Sequence, residues 1–412
     1  MKILHINSFS QGGAGKSTVR LNDLFNMHGY DSKVLFMGSE QIKGQRHLSF
    51  FSGKARNILM PRMLSQFEKL TVNGKYNLHR GLFSSGLTGV NITQSEFFQD
   101  ADVVYLHWTQ GGFLSLSCIA DILRAEKKVV WVLHDMWAFT GGCHHSFECV
   151  GYLTVCRKCP HLIGWKRDRL ASKCLKKKKL AIHRSKNLNV VTPSEWLGDC
   201  AKRSSVFADK SVVVIPNYVD SRKFKHIERS CARQVFGLPH DKRIILFGAD
   251  GGPGNPYKGW QYLKEALSVV SKSLKDSVAC VFGAYRLDQD AENIGMPIIN
   301  VGKLFDEASL TMLYSAVDVF VCPSIAENFP NTVLESLLCG TPVVSFHVGG
   351  LPDLIRHKFN GYLARYRDVQ DLATGMRWAL TSTDSNTHIN ARQFAADIVD
   401  EDRILNAHRA LW

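Results

Sequence analysis

The stretch Ser324–Phe346, SIAENFPNTVLESLLCGTPVVSF, decides how the chain is read. Ahead of it runs VDVFVC (Val317–Cys322), a near-continuous apolar segment of the kind buried on both faces of a parallel sheet. The stretch ends in a second strand, TPVVSF (Thr341–Phe346). Between the two, the pattern predicts a turn holding Pro323 and Pro330, then a short helix from about Thr332 to Leu338, stopped by Gly340. In open α/β sheets ligands bind in the crevice outside the carboxyl ends of the strands. Glu327 falls in the loop at that end, and Glu335 lies one turn into the helix. The amides of Asn331 and Thr332 open the helix without intrahelical partners and are suited to an anion. A phosphate there, with carboxylates on either side to accept hydroxyl hydrogens, suits a ligand that carries both groups. By spacing alone, the two glutamates also read as solvated charges on a surface helix.

A chain of 412 residues exceeds the size at which one core stops growing, so two domains are expected. The composition, 45% hydrophobic and 21% charged, is that of a globular protein. No apolar run is long enough to span a membrane, and the start, MKILHINSFS, reads as a strand without the apolar core of a signal peptide. Eleven cysteines without such a signal point to reduced thiols, hence to the cytoplasm. The net charge of +14 is uneven, with twelve Lys or Arg against one acid, Asp168, between Arg157 and Lys186. That segment admits three readings. It is a solvated helix face, a contact with an anionic membrane surface, or a nucleic-acid patch. The missing aromatics argue against nucleic acid as a partner.

The first half opens as strand, glycine turn and helix: KILHI (Lys2–Ile6), SFSQGGAG, then a helix from Lys16. Gly12 and Gly13 let the backbone approach a phosphate at the helix start, and a tight structural turn is the alternative. QGGAGKST (Gln11–Thr18) nearly spells a nucleoside-triphosphate loop, but Ser10 stands where that loop needs glycine. Residues 40 to 100 read as loops and short helices. ADVVYLHW (Ala101–Trp108) and KVVWVLHD (Lys128–Asp135) are strands that carry His107, His134 and Asp135 to their carboxyl ends. Each histidine alone reads as structural. Two at equivalent strand ends make a site in which His134 and Asp135 bind or deprotonate a hydroxyl. Cys143, Cys149, Cys156 and Cys159 follow with spacing C-x5-C-x6-C-x2-C, of which only the last pair has zinc-knuckle spacing. A structural zinc, free buried thiols and a redox pair are all open there. No DxD-type metal site is evident, so no catalytic metal is expected.

The phrase E-x7-E followed by CGTPVVSFHVGGLPDLI and NGYL resembles the donor site of retaining glycosyltransferases of the GT-B fold, family 4. LHDMWAFTGGC with CRKCP is similar to bacterial polysaccharide transferases of the colanic-acid type. The resemblance implies an α/β protein of two doubly wound, Rossmann-like domains facing across a cleft. Residues 1–216 would bind acceptor, residues 217–396 donor, and 397–412 would form a helix crossing back to the first domain. It implies transfer of a hexose from a nucleoside-diphosphate sugar to a growing glycan, lipid-linked in capsule, exopolysaccharide or O-antigen synthesis, with retention. Glu327 would hold sugar hydroxyls, Glu335 the ribose, and Lys258 the diphosphate. Gly12, Gly13, Gly248, Phe329, Asn331 and Thr332 would line the donor, Lys303 would mark the nucleobase, and His107 would lie against the sugar. The chain departs from the pattern at Asp250, where relatives carry arginine, and at Pro330, where they often have glycine. A protein of this kind works in the cytoplasm, with peripheral contact at the inner face of the plasma membrane. A same-fold nucleotide-sugar epimerase and a non-enzymatic nucleotide-binding or zinc scaffold module are the other readings.

Overall fold

Five of the six residues of β1 (Lys2–Asn7) are buried, as expected of a strand with neighbours on both sides and helices on both faces. The computed structural model describes residues 1–38, 46–51, 53–72, 81–163, 167–248, 255–283, 294–381 and 385–412. From β1 the chain continues through α1 (Gly12–Met27), β2 (Asp31–Phe36), β3 (His47–Ser49), α2 (Lys54–Thr71) and α3 (Glu96–Asp100). Then come β4 (Val103–Leu106), α4 (Leu116–Arg124), β5 (Lys128–Val132), α5 (Arg167–His183), β6 (Leu188–Thr192), α6 (Glu195–Arg203) and β7 (Val212–Val214). These strands form one sheet, ordered β3-β2-β1-β4-β5-β6-β7, with every ladder parallel.

The second half repeats the scheme. It runs α7 (Arg229–Phe236), β8 (Arg243–Gly248), α8 (Trp260–Ser273), β9 (Ser277–Phe282), β10 (Ile298–Gly302), α9 (Glu307–Ala316) and β11 (Val319–Cys322). It closes with α10 (Asn331–Leu338), β12 (Val343–Phe346), α11 (Leu351–Leu354), β13 (Gly361–Ala364), α12 (Val369–Thr381) and α13 (Ser385–Ile398). The sheet order is β10-β9-β8-β11-β12-β13, again parallel throughout. The chain divides into two compact units, Met1–Tyr218 with Glu401–Trp412, and Val219–Asp400. In each, strand order reverses beside the first strand, at β1/β4 and at β8/β11. Loops diverge there and open a crevice at the carboxyl ends. Among the described residues no helix is long and apolar enough to cross a membrane.

Two features depart from the sequence reading. The region expected to be loops and short helices holds the 18-residue helix α2, with Pro61 inside it. Lys178, in the middle of the basic run, is 2% exposed. Its ammonium donates to the carbonyls of Trp137 and Thr140 and lies 3.6 Å from the Trp137 ring centre. Burial pulls its pKa down to about 8.

The tail of the chain is tied to the first unit by aromatic and polar contacts. On α14 (Glu401–Arg409), His408 Nδ1 lies 3.2 Å from the Tyr105 hydroxyl, and Trp412 Nε1 donates to the same hydroxyl at 2.7 Å. Burial lowers His5 and His408 to about 3 each, so both imidazoles are neutral in the folded protein. An unfolded chain would bind protons at these sites below about 6.5. Stability is therefore fully present above that value and falls as pH drops from 6.5 toward 3, each imidazole steepening the fall by up to about 1.4 kcal/mol per pH unit. Urea midpoints measured across that window should decline with pH, and His408→Phe should flatten the decline.

Candidate functional site

In the second unit the loop from Pro323 to Pro330 leaves β11 at the strand reversal. It is held less by its own hydrogen bonds than by backbone packed against it. Gly259 (φ +70°) sits where a Cβ would come 1.9 Å from the Pro323 carbonyl oxygen, and Gly349 (φ +57°) where one would come 1.8 Å from that of Glu327. Ile325 N–H donates to the Tyr257 carbonyl at 2.8 Å, and the Tyr366 hydroxyl donates to the Ile325 carbonyl at 3.1 Å. The clamp fixes the main chain of Glu327, whose Oε1 accepts from the Ser324 hydroxyl at 2.9 Å and from the Lys258 ammonium. The carboxylate is nearly buried, and the lysine side chain is a quarter exposed. Cys322 lies beneath, its thiol pushed up to about 11 by burial and then by the Glu327 charge.

Helix α10 begins at Pro330 with no side-chain cap, leaving Asn331 and Thr332 half-buried at its open end. Glu335 is 2% exposed, and its Oε2 accepts from the Tyr314 hydroxyl at 3.2 Å. Phe329 is buried beside them. Gly248 ends β8 under the Phe282 ring, which a Cβ there would meet at 2.0 Å, so packing alone requires the glycine. Lys303 is exposed on the turn after β10. Asp250 and most of the glycine-rich loop after β8 lie outside the described residues.

In the first unit three imidazoles form a ladder across neighbouring strands. His5 Nδ1 lies 2.9 Å from His107 Nε2, and His107 Nδ1 lies 3.0 Å from His134 Nε2. His107 is therefore interior, with both ring nitrogens engaged. The resemblance sets His107 against the sugar, and in the fold its ring stands between those of His5 and His134. Its pKa is held well below the usual value by burial and by His5 and His134. His134 is the outer member, lowered by burial to about 4 against the opposing charge of Asp135. A neutral imidazole of this kind can accept a proton.

Asp135 is fixed on three sides. Its oxygens accept from the Trp137 N–H at 2.8 Å and the Trp108 indole at 2.9 Å, and His144 Nδ1 stands 2.5 Å away. Burial opposes its charge, but His144 and these bonds outweigh that and hold the carboxyl below the usual range. His144, in turn within 3.0 Å of the Ser84 hydroxyl, is a site residue the sequence reading missed. So is His5. Neither stands at a strand end, and only the fold brings them to this cluster.

The glycines at the head of α1 differ in what they need. Gly12 has φ +78°. A Cβ on Gly13 would touch nothing within 4 Å, whereas one on Gly15 would press on Phe9 and Ser10 backbone at 2.6–2.7 Å. Gly15 makes the tight turn possible, and Gly13 leaves open space beside the helix start.

Of the three readings open for the cysteines, zinc is not shown: Cys143, Cys149, Cys156 and Cys159 line a small cavity with Tyr152 and His161, and among the described residues no group of three His, Cys, Asp or Glu is arranged to hold a metal. Burial pushes Cys156 up to about 12 and Cys143 higher still, which keeps these thiols protonated at neutral pH. The tripeptide D-x-D also does occur, at 100–102, 288–290 and 400–402. In the first of these, Asp100 and Asp102 bind the Lys2 ammonium and main-chain N–H, at the amino-terminal side of the sheet.

Residues 241–382 match the family "Glycosyl transferases group 1". The chain is 31% identical over 191 residues to the D-inositol 3-phosphate glycosyltransferase of Geodermatophilus obscurus, covering 42% of this chain and 40% of that protein. The chain thus spans about two fifths of the length of that relative. To the putative colanic acid biosynthesis glycosyl transferase WcaC of Escherichia coli K12 it is 24% identical over 372 residues, 84% of this chain and 83% of the other. Its fold is similar to that of Anabaena HepE, solved in complex with UDP-glucose, with TM-score 0.63, 16% identity and full coverage of both chains.

The clamp around Glu327 predicts a contrast between two glycines. Gly349→Ala should destabilise the second unit by about 1–3 kcal/mol, because a side chain there is strained and collides with main chain. Gly13→Ala, in open space on a helix, should leave the urea unfolding midpoint unchanged or slightly raised.

Proposed function

We propose that the chain transfers a hexose from a nucleoside-diphosphate sugar to a growing glycan, with retention, a reading supported by the match of residues 241–382 to the glycosyl transferases group 1 family. The observation that carries this reading is the clamped Glu327 loop, with Lys258 on its carboxylate and the open start of α10 alongside. Lys258 would exchange Glu327 for the donor diphosphate. The amides of Asn331 and Thr332 would take the same anion at the helix start, where the dipole favours negative charge. Glu327, released, would accept hydrogens from sugar hydroxyls, and Glu335 from the ribose. Gly248, Phe329 and Lys303 would border the donor, the last beside the base.

In the first unit, His134 and Asp135 would receive the acceptor hydroxyl, the neutral imidazole taking its proton and the carboxylate orienting it. His107 and His5 would act behind His134 by fixing its ring. The Gly12–Gly13 turn offers amides to an anion. A lipid-linked polysaccharide is the acceptor class that fits best with the colanic acid relative.

Charge building on the departing diphosphate is the costly feature of such a transfer, and one preorganised donor is typically worth about 2.7–4 kcal/mol. Lys258→Ala should therefore lower kcat by roughly 100- to 1000-fold, read as nucleoside diphosphate released in the presence of acceptor. Glu327→Gln and Glu335→Gln should also lose most activity while keeping the parent's fold. Parent-like rates in both would end the reading. EDTA should leave the rate unchanged, since the lysine and helix start take the place of a metal, and NMR of the product should show the donor's anomeric configuration.

A further inference from the structure

The turns that follow β1 and β4 are laced together at the carboxyl end of the first sheet, where His134 and Asp135 stand. The Ser8 N–H donates to the Trp108 carbonyl at 2.7 Å, and the Trp108 N–H to Asn7 Oδ1 at 2.8 Å. Asn7 Nδ2 donates to the Phe9 carbonyl at 2.6 Å, and the Ser8 hydroxyl to the Gln110 carbonyl at 2.5 Å. The main chain that carries Phe9 and Trp108 is therefore held from both strands.

Two aromatic rings ride on this lacing. Their centres are 5.7 Å apart and their planes are inclined at 38°. Gly111, with φ +72°, packs against both, for a Cβ there would come 3.2 Å from the Phe9 ring and 3.5 Å from that of Trp108. Even so, Phe9 is 40% exposed, and Trp108 is partly exposed. The Trp108 indole donates to Asp135 Oδ2 at 2.9 Å, so the pair adjoins the carboxylate directly.

A phenylalanine exposed on a fixed main chain leaves apolar area in water. A ligand that covers it recovers that area at little cost in ordering, which is what makes rigid aromatics good anchors. The neighbours say what fits. The carboxylate of Asp135 repels a phosphate at this spot. An acyl chain would cover the rings but offer nothing to Asp135 and His134. A pyranose meets both needs, since its C–H bonds suit the negative face of an aromatic ring and its hydroxyls suit carboxylate and imidazole.

Resting on the acceptor role given above to His134 and Asp135, we propose that Phe9 and Trp108 stack on one pyranose ring of the acceptor and so set which of its hydroxyls reaches that pair. Such rings favour sugars with several axial hydrogens on one face, as in the gluco and galacto series.

Saturation-transfer NMR of the full chain with methyl β-glucopyranoside and methyl β-galactopyranoside, in the absence of donor, tests the stacking apart from any transfer. The parent should pass saturation from its aromatic protons chiefly to the axial hydrogens of one sugar face. Phe9→Ala should weaken binding at least about tenfold, and Phe9→Tyr should keep it. Phe97→Ala, at an exposed ring on α3, should change nothing. Should the alanine variant misfold, Phe9→Leu, apolar but without an aromatic face, should lose the binding likewise. With a nucleoside-diphosphate hexose as donor and the bound glycoside as acceptor, Phe9→Ala should raise the acceptor KM while the donor KM and the hydrolysis of donor by water stay at the parent's values. A parent that shows no saturation transfer with either glycoside, or alanine and leucine variants that bind like the parent, would overturn the subsite. Glycoside binding that depends on Phe9, without any nucleoside diphosphate released, would uphold the subsite and count instead against the transferase reading.

Discussion

A parallel sheet sends every strand out at the same end, and the order of its strands decides where that end opens. In both units the order reverses beside the first strand, so neighbouring crossovers depart to opposite faces. The loops that carry Glu327 and Lys258 in one unit, and the histidine ladder in the other, sit at those reversals for this topological reason. The chemistry of the two sites is then a matter of what each loop does with charge.

The units solve that problem in opposite ways. The second keeps a nearly buried carboxylate, which is costly unless paired. Lys258 and Ser324 supply the pairing, while two glycines let surrounding main chain lock the loop. The first unit carries stacked imidazoles at its reversal, which burial keeps neutral. Neutral rings linked nitrogen to nitrogen need no counter-ion, and they hold His134 in one orientation. One crevice holds a carboxylate paired with a cation, the other a stack of rings that burial keeps neutral.

The strands were legible because residues buried on both faces read as unbroken apolar runs, from KILHI to TPVVSF. The Glu327 loop was legible because it stands between two such runs. What escaped was set by contacts distant in sequence. Gly349 is defined by the carbonyl of Glu327, His5 by a ring more than a hundred residues away, and Lys178 by the carbonyls of Trp137 and Thr140. Helix α2 escaped for another reason. Pattern reading assumes that apolar residues mark the inside, and here Met60 and Leu64 do so while Leu59, Met63, Phe67 and Leu70 are exposed, in a helix that also holds Pro61. The cysteine spacing was legible only in part: the four thiols line one cavity, and among the described residues no group of three is arranged to hold a metal.

The inverted helix and the internal lysine bear on the same quantity, the strongly positive net charge of +14. A charge total is silent about where charge acts, because a base buried against carbonyls adds to the sum and offers nothing to a partner. Lys178 is such a base, so the densest cluster in the sequence overstates its outward field. On α2 the opposite holds. Arg56, Arg62 and Lys69 are exposed, while Glu68, the one acid within Lys54–Thr71, is turned inward and bound to three donors. Attraction to an anionic surface also falls off within about a Debye length, roughly 8–10 Å in physiological salt. Charges that share a face with exposed apolar side chains act at contact, where that attraction is strongest. Position and local pairing, rather than abundance, therefore decide where the charge of the first unit acts.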